Sequence, residues 1–213
     1  MRVYRPDLVH RRIPFLVAAS GLTFVAAVLA GWLFGSEVLV RGAPGRAAMV
    51  PSTAISLGLL FCGLLLHLRR DSPRGAVQFC AGLAAAVALT NSVFIRLDAA
   101  GLDALVASRA PGDSMATGTI AGVLTGALGL VALGSTRLVR LEVPVLAALA
   151  GLSGIISVLF VHNFHVGAPL ALSFAEAMSI YTALCLLGLF SALLLVALAP
   201  GTSLYPPDGR APN

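Results

Sequence analysis

Long apolar stretches alternate with short polar segments along the whole chain. A helix of about 20 apolar residues crosses the roughly 30 Å hydrocarbon core of a bilayer. The pattern therefore predicts an all-α integral membrane protein, a bundle of six transmembrane helices at residues 13–35, 49–66, 76–95, 115–133, 143–161 and 174–198.

Residues 1–12 are basic and 200–213 contain four prolines, which predicts a cytoplasmic amino terminus and a disordered cytoplasmic tail. The first apolar run also has features of a secretory signal peptide, with a cleavage pattern at Val28-Leu29-Ala30. We favour a retained helix, because the run is longer than a usual signal core and Trp32 suits an interfacial anchor.

A Met-x3-Thr spacing recurs where the second, fourth and sixth apolar runs start: Met49 and Thr53, Met115 and Thr119, Met178 and Thr182. The repeat period is 66 and then 63 residues. This recurrence predicts three tandem helical hairpins. Residues four apart lie about one turn apart, so each Met and Thr are expected on nearly the same helix face.

Composition and charge agree with a membrane location. Hydrophobic residues make up 58% of the chain, charged residues 11%, and the mean hydropathy is +0.95. The 14 basic residues are all Arg and are scattered in short groups, which argues against nucleic-acid binding. Ten lie on the side of the termini and four on the other. The positive-inside rule therefore predicts that both termini lie in the cytoplasm.

Small residues predict where helices pack closely. Gly118, Gly122 and Gly126 form a continuous GxxxGxxxG in the fourth span, and Gly151 and Gly154 lie in the fifth. Glycine lets helix backbones approach where lipid supplies no hydrophobic driving force. We expect the fourth span at the centre of the bundle.

Four polar residues are candidates for a ligand pocket at the outer membrane boundary: Thr53, Asn91, Thr119 and Thr182. A second interpretation is that each Thr hydroxyl donates to the carbonyl four residues back in its own helix. Asn91 must find partners in lipid, either as an interhelical tie or as a ligand contact.

Two patterns predict features of the outer loops. Leu102, Leu105 and Val106 have the spacing of a short interfacial helix. Residues 173–176 form an S-x-x-E capping box, which predicts that the sixth helix starts near Phe174.

The residues indicate no cofactor. His162 and His165 form an H-x-x-H, the one weak metal candidate, but a third ligand is lacking and loop histidines are usually solvated. The cysteines, Cys62, Cys80 and Cys185, lie in apolar runs without a C-x-x-C pair and are expected to pack as small side chains. No histidines face each other inside the spans, which argues against haem.

Catalysis and ion-coupled transport are also disfavoured. Residues 151–154 match the G-x-S-G of rhomboid-type proteases, but His162 is roughly 13 Å along the same helix from Ser153, too far to act as its base. No charged residue lies within the bilayer portion of any span, whereas ion-coupled carriers normally keep one there. These arguments do not apply to a pore for neutral solutes, which remains an alternative function.

Three segments resemble the membrane-embedded sensory input regions of bacterial histidine kinases and GGDEF proteins: MVPSTAISLGLL, the loop run at 101–106 with Pro111-Gly112, and MSIYTALCLLGL. Such regions continue into a cytoplasmic output domain, whereas this chain stops at Asn213. The resemblance implies a bacterial inner-membrane location, a small or lipid-like ligand near the outer helix ends and a separate signalling partner.

The sequence thus favours a non-enzymatic, stand-alone sensory module. The alternatives are an accessory or assembly subunit that packs against another membrane protein and, third, a channel or carrier for neutral solutes.

Overall fold

The computed structural model describes residues 11–42, 46–69, 74–97, 103, 114–140, 142–164 and 178–199. These residues form helices and no strand. The helices are α1 (Ile13–Phe34), α2 (Glu37–Arg41), α3 (Pro51–Leu68), α4 (Arg74–Arg96), α5 (Thr117–Leu133), α6 (Thr136–Arg140), α7 (Val143–Phe164) and α8 (Ile180–Ala197).

Five helices are long and apolar enough to cross a membrane: α1, α3, α4, α7 and α8. The remaining apolar helix, α5, has 17 residues. The prediction of an all-helical membrane protein is confirmed at this level. The predicted basic amino terminus up to residue 10, the tail from residue 200, and the loop helix at Leu102, Leu105 and Val106 lie outside the described residues.

Three helices form the inside of the bundle. Helices α3, α5 and α8 contact one another pairwise, and each carries a Met-x3-Thr pattern at its start. The other three long helices lie around them, each against two inner helices: α1 against α3 and α8, α4 against α3 and α5, and α7 against α5 and α8. Because α5 touches both other inner helices, the structure places it where the glycine pattern predicts.

The inner helices run parallel and in register. A Cβ atom added to Gly126 would lie 3.1 Å from Leu189 Cδ2 and 3.2 Å from Leu60 Cδ1. Each of these three residues is eleven positions after the methionine that precedes its helix. Further along, a Cβ atom at Gly63 would lie 3.3 Å from Leu130 Cδ1, so the agreement extends toward the carboxyl ends. Equivalent positions therefore meet around one axis.

The inner helices start in the same way, two residues later than the methionine. Their N-caps are Val50, Ala116 and Ser179, so each methionine precedes the cap and each threonine is the third helical residue. The expectation that Met and Thr share a helical face is wrong, since Met lies outside the helix. The three methionines are buried, as are Ala54, Ile120 and Ala183 in the fourth helical position. This pairing of positions is typical of a hydrophobic staple.

The predicted start of the sixth span near Phe174 is corrected by the observed cap. Residues 178 and 179 are not helical, and the Ser179 hydroxyl accepts a hydrogen bond from the Tyr181 backbone N–H at 3.2 Å. A serine oxygen in this position satisfies a free N–H of the first turn, which fixes the helix start at Ile180. The capping box at 173–176 lies outside the described residues.

The segment after α1, expected to be a loop, contains the short helix α2. Glu37 in its first turn and Arg41 in its last both suit the helix dipole, and Gly42 ends it with a left-handed φ of 76°. The Tyr181 hydroxyl donates to the Val38 carbonyl at 3.2 Å, so α2 is held against the start of α8. Trp32, expected as an interfacial anchor, donates from Nε1 to the Met49 carbonyl at 2.8 Å and ties α1 to the start of α3.

Gly151 and Gly154 provide a matched test of this packing, because they lie one turn apart on α7. A Cβ atom at Gly151 would overlap the Phe190 ring, whereas one at Gly154 would meet nothing within 4 Å. We expect Gly151→Ala to lower the free energy of unfolding by about 1–3 kcal/mol, the usual cost of overpacking. Gly154→Ala is expected to be neutral or slightly stabilising, since alanine is the better helix former.

Thermal unfolding in detergent, followed by circular dichroism, measures both variants. Equal melting temperatures for the two would contradict the placement of α7 against α8.

Candidate functional site

The buried polar side chains of the described residues lie at one end of the bundle. They are Ser52, Thr53, Ser56, Asn91, Asp103, Thr119, Ser179 and Thr182. Six of them belong to the first two turns of the inner helices or to the cap of α8, and Asn91 and Asp103 come from segments beside those starts. A layer of polar groups at one end therefore adjoins an otherwise apolar interior.

The three threonines of this layer converge on the central axis. Thr53, Thr119 and Thr182 each lie seven residues before the position at which Leu60, Gly126 and Leu189 meet. Seven residues are two helical turns with a drift of about 20°, so the threonines occupy nearly the same inward face. Each threonine is 2% exposed. We call these three residues the threonine layer.

The hydroxyls of the threonine layer do not donate to their own helices. Within the described part of the chain none of the three has a hydrogen-bond partner. Five other hydroxyl side chains do donate to the carbonyl four residues back, at 2.8–3.0 Å: Ser20, Thr23, Ser56, Thr125 and Ser157. The interpretation that the layer is satisfied in this way is therefore corrected.

The position of each threonine in its helix explains the difference. Four residues before the third helical residue comes the methionine that precedes the cap, and its carbonyl is not aligned with the helix. The Met49 carbonyl instead accepts from Trp32. Every fully enclosed side-chain oxygen or nitrogen among the described residues has a partner. The threonine hydroxyls must therefore each retain contact with a small open space.

Asn91 joins an outer helix to an inner one. It is buried near the carboxyl end of α4, and its Nδ2 atom donates to Met115 Sδ at 3.6 Å. A thioether is a weak acceptor. The structure thus places Asn91 beside the start of α5 as an interhelical tie, one turn from Thr119.

Asp103 is one of the buried polar residues at this end of the bundle, and the sequence analysis did not identify it. Its Oδ1 atom accepts from the Ser52 backbone N–H at 2.7 Å, and its Oδ2 atom accepts from the Ser52 hydroxyl at 2.8 Å. The carboxylate caps the positive end of α3 from a segment 51 residues away. One signal was present, because Glu37 and Asp103 each follow a glycine by two residues and precede their methionine by twelve.

Large apolar side chains close the axis below the threonine layer. The residues that follow it toward the carboxyl ends of the inner helices are all fully buried: Leu57, Leu60, Leu64, Leu130, Leu186 and Leu193. Among the described residues the layer is therefore not part of a continuous polar path along the axis.

The predicted packing glycines divide into two groups. A Cβ atom at Gly122 would lie 2.8 Å from Leu186 Cδ1, and Gly126 and Gly151 also approach α8 closely. Gly154 has no such neighbour, and with Gly118 it lines an open groove of about 360 Å³ between α5 and α7. The prediction that Gly154 packs against another helix is therefore corrected.

The structure does not describe the side chains of the two predicted metal candidates, His162 and His165. His165 lies outside the described residues, and of His162 only the backbone position in α7 is described. The described residues contain no group of three potential His, Cys, Asp or Glu ligands.

No protein family, curated protein or solved structure matches the chain.

Proposed function

We propose that the chain is a six-span protein of the bacterial inner membrane that binds a small ligand at the threonine layer and signals through a partner protein. The proposal includes three tandem hairpins, cytoplasmic termini and no enzymatic activity. The five long apolar helices support the membrane location. Helix α5, whose 17 residues extend for about 25 Å, supplies the sixth crossing together with the extended residues before it.

The observation that carries the proposal is the set of three threonine hydroxyls that have no hydrogen-bond partner within the described part of the chain and keep only a small exposed surface. A hydroxyl in such a position costs stability unless water or a ligand accepts its hydrogen bond, and apolar side chains of similar size would avoid that cost. Each threonine also lies in the first turn of its helix, where the first backbone N–H groups favour oxygen acceptors. A ligand with oxygen atoms near the axis would satisfy both sets of donors.

The orientation from the arginine distribution turns the threonine layer toward the outside of the cell. A ligand would then enter from the periplasmic side, and its effect would pass along α3, α5 and α8 to their cytoplasmic ends. The buried leucines beneath the layer argue against the channel interpretation. They suit a sensor better, because packed helices transmit a change without opening a path.

Native mass spectrometry tests for the ligand in protein extracted from bacterial membranes in a mild detergent. The wild-type protein should retain a small non-protein mass. The variant T53V/T119V/T182V should lose it, because valine keeps the shape of threonine but removes the hydroxyl. The variant should still be recovered folded, since no hydrogen bond within the protein is lost.

The control is T23V/T125V, which removes two threonine hydroxyls that donate within their own helices. This control should keep the bound mass. Absence of any bound mass from the wild-type protein, with a large membrane complex co-purifying instead, would favour the accessory-subunit interpretation and contradict ours.

Two exposed glutamates test the proposed topology. Glu37 follows α1 and Glu142 precedes α7, so six crossings put them on opposite sides of the membrane. In a protein without native cysteines, we expect a membrane-impermeant maleimide to label Glu37→Cys in intact cells. Glu142→Cys should be labelled only after the membrane is permeabilised. Labelling of both variants in intact cells would contradict the topology.

A further inference from the structure

The groove between α5 and α7 is apolar and open at the side of the bundle. Gly118 and Gly122 line it from α5, Gly151 and Gly154 line it from α7, and Phe190 of α8 lies behind them. Its volume of about 360 Å³ is in the range of clefts that hold small molecules. It is separate from the threonine layer, because none of the three threonines lines it.

The groove exists because one hairpin lacks a side chain that the other two possess. Val25, Asn91 and Gly154 each lie 24 residues before the methionine of their hairpin. Val25 and Asn91 are buried, and the Asn91 amide contacts Met115. Gly154 has nothing within 4 Å of its Cβ position, and the corresponding methionine, Met178, lines the groove. The side chain that fills this position in the other two hairpins is therefore missing between α5 and α7.

The lining of the groove offers few polar groups that could bind water. The Thr125 hydroxyl, which faces the groove, already donates to the Ala121 carbonyl at 2.8 Å. The other lining side chains are apolar or glycine, apart from Thr117 at the outer end. Apolar cavities of this kind stay dry, and their walls lose dispersion contacts unless an apolar group fills them.

The exposed apolar side chains around the groove indicate which kind of molecule fills it. Large apolar side chains next to the groove are more than half exposed, as expected of a surface in lipid: Leu128, Ile156 and Phe160. Helices α5 and α7 pack against each other, and the groove of about 360 Å³ between them is too small for another helix of about 10 Å diameter. A single flexible hydrocarbon chain is both available there and narrow enough.

We infer that this groove is a lipid site, in which one hydrocarbon chain of a membrane phospholipid enters sideways between α5 and α7. Gly154 and Gly118 keep the site open, and Phe190 limits its depth. The inference depends on the membrane location proposed above but not on a ligand at the threonine layer.

A photoreactive phospholipid tests the inference. The full-length protein is reconstituted in phosphatidylethanolamine and phosphatidylglycerol vesicles that contain a trace of a phospholipid with a diazirine in mid-chain. After irradiation, mass spectrometry of peptides locates the adducts. We expect several-fold more adducts on the α5 and α7 residues that line the groove than on the exposed face of α4 around Gly82.

The variants Gly154→Leu and Gly82→Leu form a matched pair, because both glycines have open space at the Cβ position. Gly154→Leu should remove the excess labelling, and Gly82→Leu should leave it unchanged. If Gly154→Leu is not recovered folded, Gly154→Val replaces it with the residue found at the same position of the first hairpin.

Uniform labelling of all lipid-facing helices would overturn the inference, as would excess labelling that survives the filled groove. Protein-to-protein adducts at the groove would also overturn it in favour of a second copy of the chain. These results leave the threonine-layer proposal untouched, because the T53V/T119V/T182V variant does not alter the groove.

Discussion

The structure depends on the close approach of three parallel helices at Gly126. The absence of a side chain there lets Leu60 and Leu189 meet α5 at a single level, which fixes the register of all three inner helices. With no hydrophobic driving force between helices in a bilayer, such close packing is the main source of their association. Once the register is set, the helix starts lie at one height, and so do their caps, their threonines and their free N–H groups.

Register also explains the uneven distribution of polarity. Hydroxyl groups in the interior of a membrane helix are normally satisfied by the carbonyl four residues back. At the third residue of a helix the carbonyl four residues back lies before the cap and is not aligned to accept. The three threonine hydroxyls therefore lie near the axis without this partner. Beneath them the inner helices present leucine, valine and phenylalanine. The same packing that brings the polar groups together at one end therefore closes the axis beneath them with apolar side chains.

Much of this arrangement follows from the sequence, and the failures have physical causes. The Met-x3-Thr recurrence marks three equivalent helix starts because an apolar residue before the cap and a buried fourth position recur with it. Spacing alone places Met49 inside the helix, since Pro51, two residues later, is compatible with either start. Asp103 was missed because its partner, Ser52, is 51 residues away and no local pattern links them. Gly151 and Gly154 look alike in sequence, but only the neighbour on α8 decides that one is packed and the other open.

A disulfide across the inner helices tests the common register most directly. In a protein whose native cysteines are replaced, Leu60→Cys and Gly126→Cys should form a disulfide on mild oxidation. A Cβ atom at residue 126 would lie 3.2 Å from the end of the Leu60 side chain, so small motions of the helices bring the two sulfur atoms together. Leu60→Cys with Leu133→Cys, a position about 10 Å further along α5, should not. Peptide mass spectrometry in membranes detects either bond. Formation of the second bond in place of the first would contradict the parallel, in-register core on which the account depends.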